Sequence, residues 1–144
     1  MTSLNAPANW PKAGDEIDPA KFGPFGESQL LRYAAASGDD NPLHLDRDLA
    51  CAAGLEAPPV HGMLLMSCFE PALRVWRGDL VVARLAGKFL KPILVGEGVE
   101  ISGRVVRASA DGRPELTMRL IARGFGGDLA ILAEATLVSA EAPA

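Results

Sequence analysis

Apolar residues recur at helical spacing in the first half of the chain and alternate with polar ones in the second. Leu30, Leu31, Tyr33, Ala34 and Ala35 form one stripe between Glu27 and Ser37, with Glu27 suited to a first turn and Gly38 closing the run. A short helix is compatible with Asp46 to Ala53, stopped by Gly54. From His61 to about Trp76 the apolar residues cover nearly every face, which predicts a buried helix; Pro71 should bend or divide it, because its ring displaces the carbonyl four residues back. Beyond it, Leu80 to Leu90, Gly98 to Ser109, Pro114 to Arg123 and Leu129 to Ser139 are strand-like. Val99, Ile101, Gly103 and Val105, then Leu116, Met118, Leu120 and Ala122, define one dry face, while Asp111-Gly112 and Gly126-Gly127 signal hairpins.

Two segments escape both periods. Asp15 to Phe25, broken by Pro19, Gly23 and Pro24, is at best edge strand, and Ala57-Pro58-Pro59 must be extended. Residues 1–13 read as a flexible lead-in and 14–140 as a single domain. These parts fit an α+β architecture in which a curled antiparallel sheet wraps a long buried central helix. Glycines 96, 98, 124, 126 and 127 lie between strands with no helix following, so they do not form a dinucleotide fingerprint.

Composition narrows the function. A length of 144 residues allows one core without staples or metal. The net charge of -4, the pI near 5.1 and the scatter of the 14 basic residues disfavour nucleic acid. Cys51 and Cys68 lack metal or redox spacing and read as thiols in a reducing compartment. The chain has neither a secretory leader pattern nor an apolar run of about 18 residues, so the expectation is a soluble cytoplasmic protein with no membrane partner.

Candidate chemistry concentrates in Gly38-Asp39-Asp40-Asn41-Pro42-Leu43-His44. Pro42 pushes Asn41 out of the helical region, so a tight turn must follow the first helix. Such a turn can bring the Asp39 carboxylate and the His44 imidazole onto one small volume as an acid–base pair. The alternative is an Asx-type turn in which Asp39, Asp40 and Asn41 satisfy backbone amides and His44 merely packs. A second candidate is the start of the buried helix, where Gly62 lets a ligand approach unpaired first-turn amides. There too a structural reading stands beside it: an ordinary helix opened by Gly62 and capped by His61.

Taken together, Ser37-Gly38-Asp39-Asp40-Asn41-Pro42-Leu43-His44-Leu45-Asp46, Val60-His61-Gly62-Met63-Leu64, Phe89-Leu90-Lys91-Pro92-Ile93 and Gly96-Glu97 resemble the MaoC-like, or (R)-specific enoyl-CoA hydratase, branch of the hot-dog fold superfamily. The resemblance spans roughly residues 15 to 139. It implies a hydratase or dehydratase of 2-enoyl and (R)-3-hydroxyacyl thioesters, on coenzyme A or an acyl carrier, with Asp39 and His44 as the catalytic pair. Gly62, with His61 and Asn41 beside it, is implied as the substrate-binding and oxyanion group, Asn41 also holding the turn. No metal or other cofactor is implied beyond coenzyme A within the substrate.

The resemblance also implies a homodimer, or a heterodimer with a related hot-dog subunit, joined edge to edge. Phe22-Gly23-Pro24-Phe25 looks like the lead-in of members that form the catalytic half of a two-subunit dehydratase. Arg32, Asp40 and Glu70 stand on or near the expected acyl path, where Glu70 would disfavour a long chain. Two other classes use the same fold: an acyl-CoA thioesterase, for which Glu70 is the candidate carboxylate, and a non-catalytic acyl-thioester binder or structural subunit. The Asp39/His44 spacing favours hydration over both.

Overall fold

The computed structural model describes residues 9–110 and 112–140. The expected lead-in thus falls outside the described residues up to residue 8, as does Asp111 of the first hairpin signal. In chain order the elements are β1 (Ala20–Phe22), α1 (Glu27–Ser37), a 3-10 turn (Pro42–His44), α2 (Arg47–Ala52), α3 (Gly62–Met66), α4 (Phe69–Trp76), β2 (Leu80–Phe89), β3 (Val99–Ser109), β4 (Glu115–Gly124) and β5 (Leu129–Ser139).

Five antiparallel strands form one sheet in the order β1-β3-β4-β5-β2. The alternation read from the sequence is the alternation observed: Val99, Ile101, Val105, Leu116, Met118, Leu120 and Ala122 are all buried. They join Leu30, Leu65, Phe69 and Leu73 in a single apolar cluster between the sheet and the helices. Each of the larger side chains contributes about 1.5–3 kcal/mol by leaving water, which is why the strands present that face to the helices. The result is the expected α+β hot-dog arrangement. The segment before β1 stays extended, with Glu16 bridging Arg104 and β1 pairing along β3 at the sheet edge.

The central helix is divided. α3 stops at Met66 and α4 starts at Phe69, with a turn at Ser67 and Cys68. Pro71 explains the site of the break, since it has no N–H for the Ser67 carbonyl and its ring crowds that oxygen. Ser67 takes the released turn by donating its hydroxyl to the Leu64 carbonyl at 2.6 Å. The helix is also less enclosed in the single chain than an all-round apolar pattern predicts: Met63 is 61 % and Val75 86 % exposed.

Among the described residues strand β2 pairs only with β5, which leaves its other edge open. Its inner side meets α3 closely. A methyl group added at Gly87 would lie 2.6 Å from Met66 Sδ, and one added at Gly62 would lie 2.9 Å from Phe89 Cε1. Large side chain thus faces glycine twice, in opposite directions, which presses the start of α3 against the sheet edge. Among the described residues no helix is long and apolar enough to cross a membrane.

Candidate active site

Helix α1 ends as its sequence requires, with Gly38 at φ +79° and its N–H on the Ala34 carbonyl at 2.9 Å. The next residues are fixed by short-range bonds. Ser37 Oγ accepts from Asp39 N–H at 3.1 Å, Asp39 Oδ1 from Asn41 N–H at 3.4 Å, and Asn41 Oδ1 from Leu43 N–H at 3.0 Å. The Asx-type turn is therefore present, and it is what carries His44 back toward Asp39. Asp39 Oδ2 and His44 Nε2 end 3.9 Å apart, too far for a direct hydrogen bond and suited to a shared intervening atom. Half of the Asp39 side chain is exposed, whereas His44 is largely enclosed.

The tautomer of His44 follows from its partner. Its Nδ1 lies 2.7 Å from the Pro59 carbonyl oxygen, which can only accept, so Nδ1 carries the hydrogen. In the neutral ring Nε2 then presents a bare lone pair toward Asp39. Sequence reasoning missed Pro59, and no signal marks it, because any residue supplies a carbonyl.

His61 is enclosed completely. Its Nε2–H donates to the Asp39 carbonyl at 3.0 Å, while Nδ1 is buried without a partner among the described residues. The ring stacks on His44 with centroids 4.0 Å apart at 22°, and Tyr33 meets it edge-on at 4.7 Å. It makes no side-chain cap for α3. Burial pushes its pKa below the ordinary 6.5, the hydrogen bond to Asp39 opposes this, and the neighbouring His44 adds to it. His61 is thus neutral at neutral pH.

Gly62 opens α3, and its N–H meets no acceptor among the described residues. The Phe89 ring lies over it, a contact visible only in three dimensions. Asn41 is spent on the turn through Oδ1. Glu70 points both oxygens at Arg74, one turn along α4, with Nε at 3.0 Å. Arg32 and Asp40 are exposed.

Donor atoms of Asp39, His44 and His61 lie within 4.8 Å of one another, a distance at which a cation could be considered. Stacking argues against it. Imidazole lone pairs lie in the ring planes, and a metal–nitrogen bond of about 2.0–2.1 Å cannot lie in two nearly parallel planes at once. His61 Nε2 is in addition committed to the Asp39 carbonyl.

The family model described as "MaoC like domain" matches residues 8–120. The chain belongs to the MaoC-like dehydratase family. An (R)-specific enoyl-CoA hydratase of Aeromonas caviae is 36% identical over 117 residues, covering 78% of this chain and 85% of that one. A mitochondrial 3-hydroxyacyl-[acyl-carrier-protein] dehydratase of Arabidopsis thaliana is 34% identical over 94 residues, covering 65% and 54%. Among solved structures, an (R)-hydratase from A. caviae superposes with a TM-score of 0.81 at 31% identity, over 92% of this chain and 99% of that one.

The MaoC-like core thus buries a neutral histidine whose folded pKa is depressed, and stability should respond. Above pH 6.5 both states hold His61 neutral; below it the unfolded chain takes up a proton that the folded chain refuses. Stability is therefore full above 6.5 and falls as pH drops toward the depressed folded value, with a slope of at most about 1.4 kcal/mol per pH unit. Urea unfolding of the wild type and His61→Gln across this range checks it: the wild type should lose stability more steeply, and equal slopes would contradict the burial argument.

Proposed function

We propose that this chain adds water to 2-enoyl thioesters and removes it from (R)-3-hydroxyacyl thioesters, with Asp39 and His44 as the acid–base pair. The chain is a hydro-lyase of acyl thioesters. The observation that carries the assignment of residues is the 3.9 Å gap between Asp39 Oδ2 and His44 Nε2. A water held there donates to one or both groups, gains nucleophilicity and attacks C3 of the enoyl chain. C2 receives a proton, so the elements of one water are added across the double bond. Negative charge passes to the thioester oxygen as C3 is attacked, and the Gly62 N–H, which meets no acceptor among the described residues, is the donor we assign to it. Dehydration is the same path reversed. The chemistry asks for no metal or redox group, and coenzyme A or a carrier arm enters only as part of the substrate.

Assembly is the second part of the proposal. β2 leaves an open edge, and Val81, Phe89, Leu90, Met63 and Val75 on or beside it and along the helix are exposed. A sheet edge with that much apolar surface calls for a neighbour, and we propose a dimer, with itself or with a related hot-dog chain. We place it in the cytoplasm, because Cys51 and Cys68 are both free and burial pushes the Cys68 thiol up to about 11, leaving it an inert packing group.

Purified protein should remove the enoyl absorbance of crotonyl-CoA, and Asp39→Asn and His44→Ala should each lower turnover by about two to four decades with the fold retained. Near-wild-type rates in either folded variant would remove that residue from the mechanism, and release of free coenzyme A in place of hydration would indicate a thioesterase.

Gly62→Ala should cost on the order of a hundredfold in kcat/KM with little change in Tm. Because the added methyl also meets Phe89, the same change in a Phe89→Leu background separates the two effects. A loss that persists there belongs to the amide; a loss that vanishes belongs to the displaced ring.

Light scattering should give at least twice the 15.1 kDa chain mass. An active monomer would overturn the dimer.

A further inference from the structure

The bonds that shape the acid–base turn are almost all local. Those of residues 38–46 stay within residues 34–50, with two exceptions among the described residues: His44 Nδ1 on the Pro59 carbonyl and His61 Nε2 on the Asp39 carbonyl. The second runs from the residue immediately before Gly62 to the residue that bears the carboxylate, 22 positions apart. It therefore connects the two halves of the site directly, the amide at the helix mouth and the acid–base pair in the turn.

A histidine is an expensive choice for mere filling here. Its Nδ1 is buried with no partner among the described residues, and a buried polar atom left unpaired is destabilising. Phenylalanine, a somewhat larger flat ring, would stack on His44 and meet Tyr33 without an orphaned nitrogen. What it would lack is the Nε2–H. We infer that His61 is a positioning residue of the hydration reaction, whose Nε2–H on the Asp39 carbonyl holds the acid–base turn in register with the Gly62 amide. The inference rests on the hydratase reading and adds a residue to it that need not touch substrate.

Positioning has a measurable signature. Loss of the tie lets the Asp39 backbone drift relative to the helix mouth, and displacements of about 1 Å at a reacting centre cost on the order of a hundredfold. His61→Phe keeps the ring and removes the donor; His61→Gln restores an N–H near the Nε2 position. With crotonyl-CoA as substrate, kcat of His61→Phe should fall by about ten- to hundredfold while KM moves little, and His61→Gln should recover a large part of the loss. Turnover of folded His61→Phe equal to wild type, or no recovery in folded His61→Gln, would overturn the inference.

Should both variants unfold, nitrogen-15 NMR of the wild-type imidazoles decides. His61 must then carry its hydrogen on Nε2 at neutral pH, and a ring with Nδ1–H and a bare Nε2 would overturn the tie. A wild type that leaves crotonyl-CoA and 3-hydroxyacyl-CoA unchanged would instead sink the hydratase reading, while the tautomer would still report on the bond.

Discussion

Two backbone carbonyls, those of Pro59 and Asp39, orient the two histidine rings on which the site depends. Each accepts an N–H from a histidine ring, and the two rings lie face to face at 4.0 Å. A carbonyl oxygen has no hydrogen to give, so both tautomers are dictated, and with them the location of each bare lone pair. His44 turns its lone pair toward a half-exposed carboxylate; His61 turns its own into the interior. Two similar residues thereby turn their bare lone pairs in opposite directions, each set by the hydrogen bond its ring donates.

The sheet supplies the rigid frame for this arrangement. α3 is only one turn longer than nothing, five residues, and a helix that short holds its place through packing. Its packing partners are glycines and large side chains exchanged across the contact with β2, Gly62 beneath Phe89 and Met66 beneath Gly87. Close approach is possible only because one side of each pair lacks a Cβ. The helix mouth is thus pinned to the open sheet edge, the edge at which the proposed dimer would join.

The same geometry separates the hydratase from the other uses of this fold. A thioesterase carboxylate on the central helix would have to be Glu70, and that group spends both oxygens on Arg74 on an exposed helical turn. A binding subunit requires no acid–base pair, yet Asp39 and His44 are both present and are brought to a separation that one water spans.

Much was legible in the chain itself. The four long strands fall within a residue or two of their expected ends, because alternation is a local property that the sheet only has to accept. Gly38, Pro42 and Gly54 end or start elements where backbone sterics demand it, and Pro71 breaks the helix four residues upstream, as its missing N–H and its ring require. The approach of Asp39 to His44 was also written locally, since Asn41 and Asp39 fold the turn with their own side chains. Tertiary structure decided what no spacing encodes. Pro59 and Tyr33 enter the site through a carbonyl and a ring edge, and Phe89 through contact with a glycine 27 positions away, for which a sequence carries no local mark. The apolar pattern from His61 to Trp76 records that every face of the helix avoids water, but which faces this chain covers by itself, and which, like that of Val75, it leaves bare, depends on where the sheet ends.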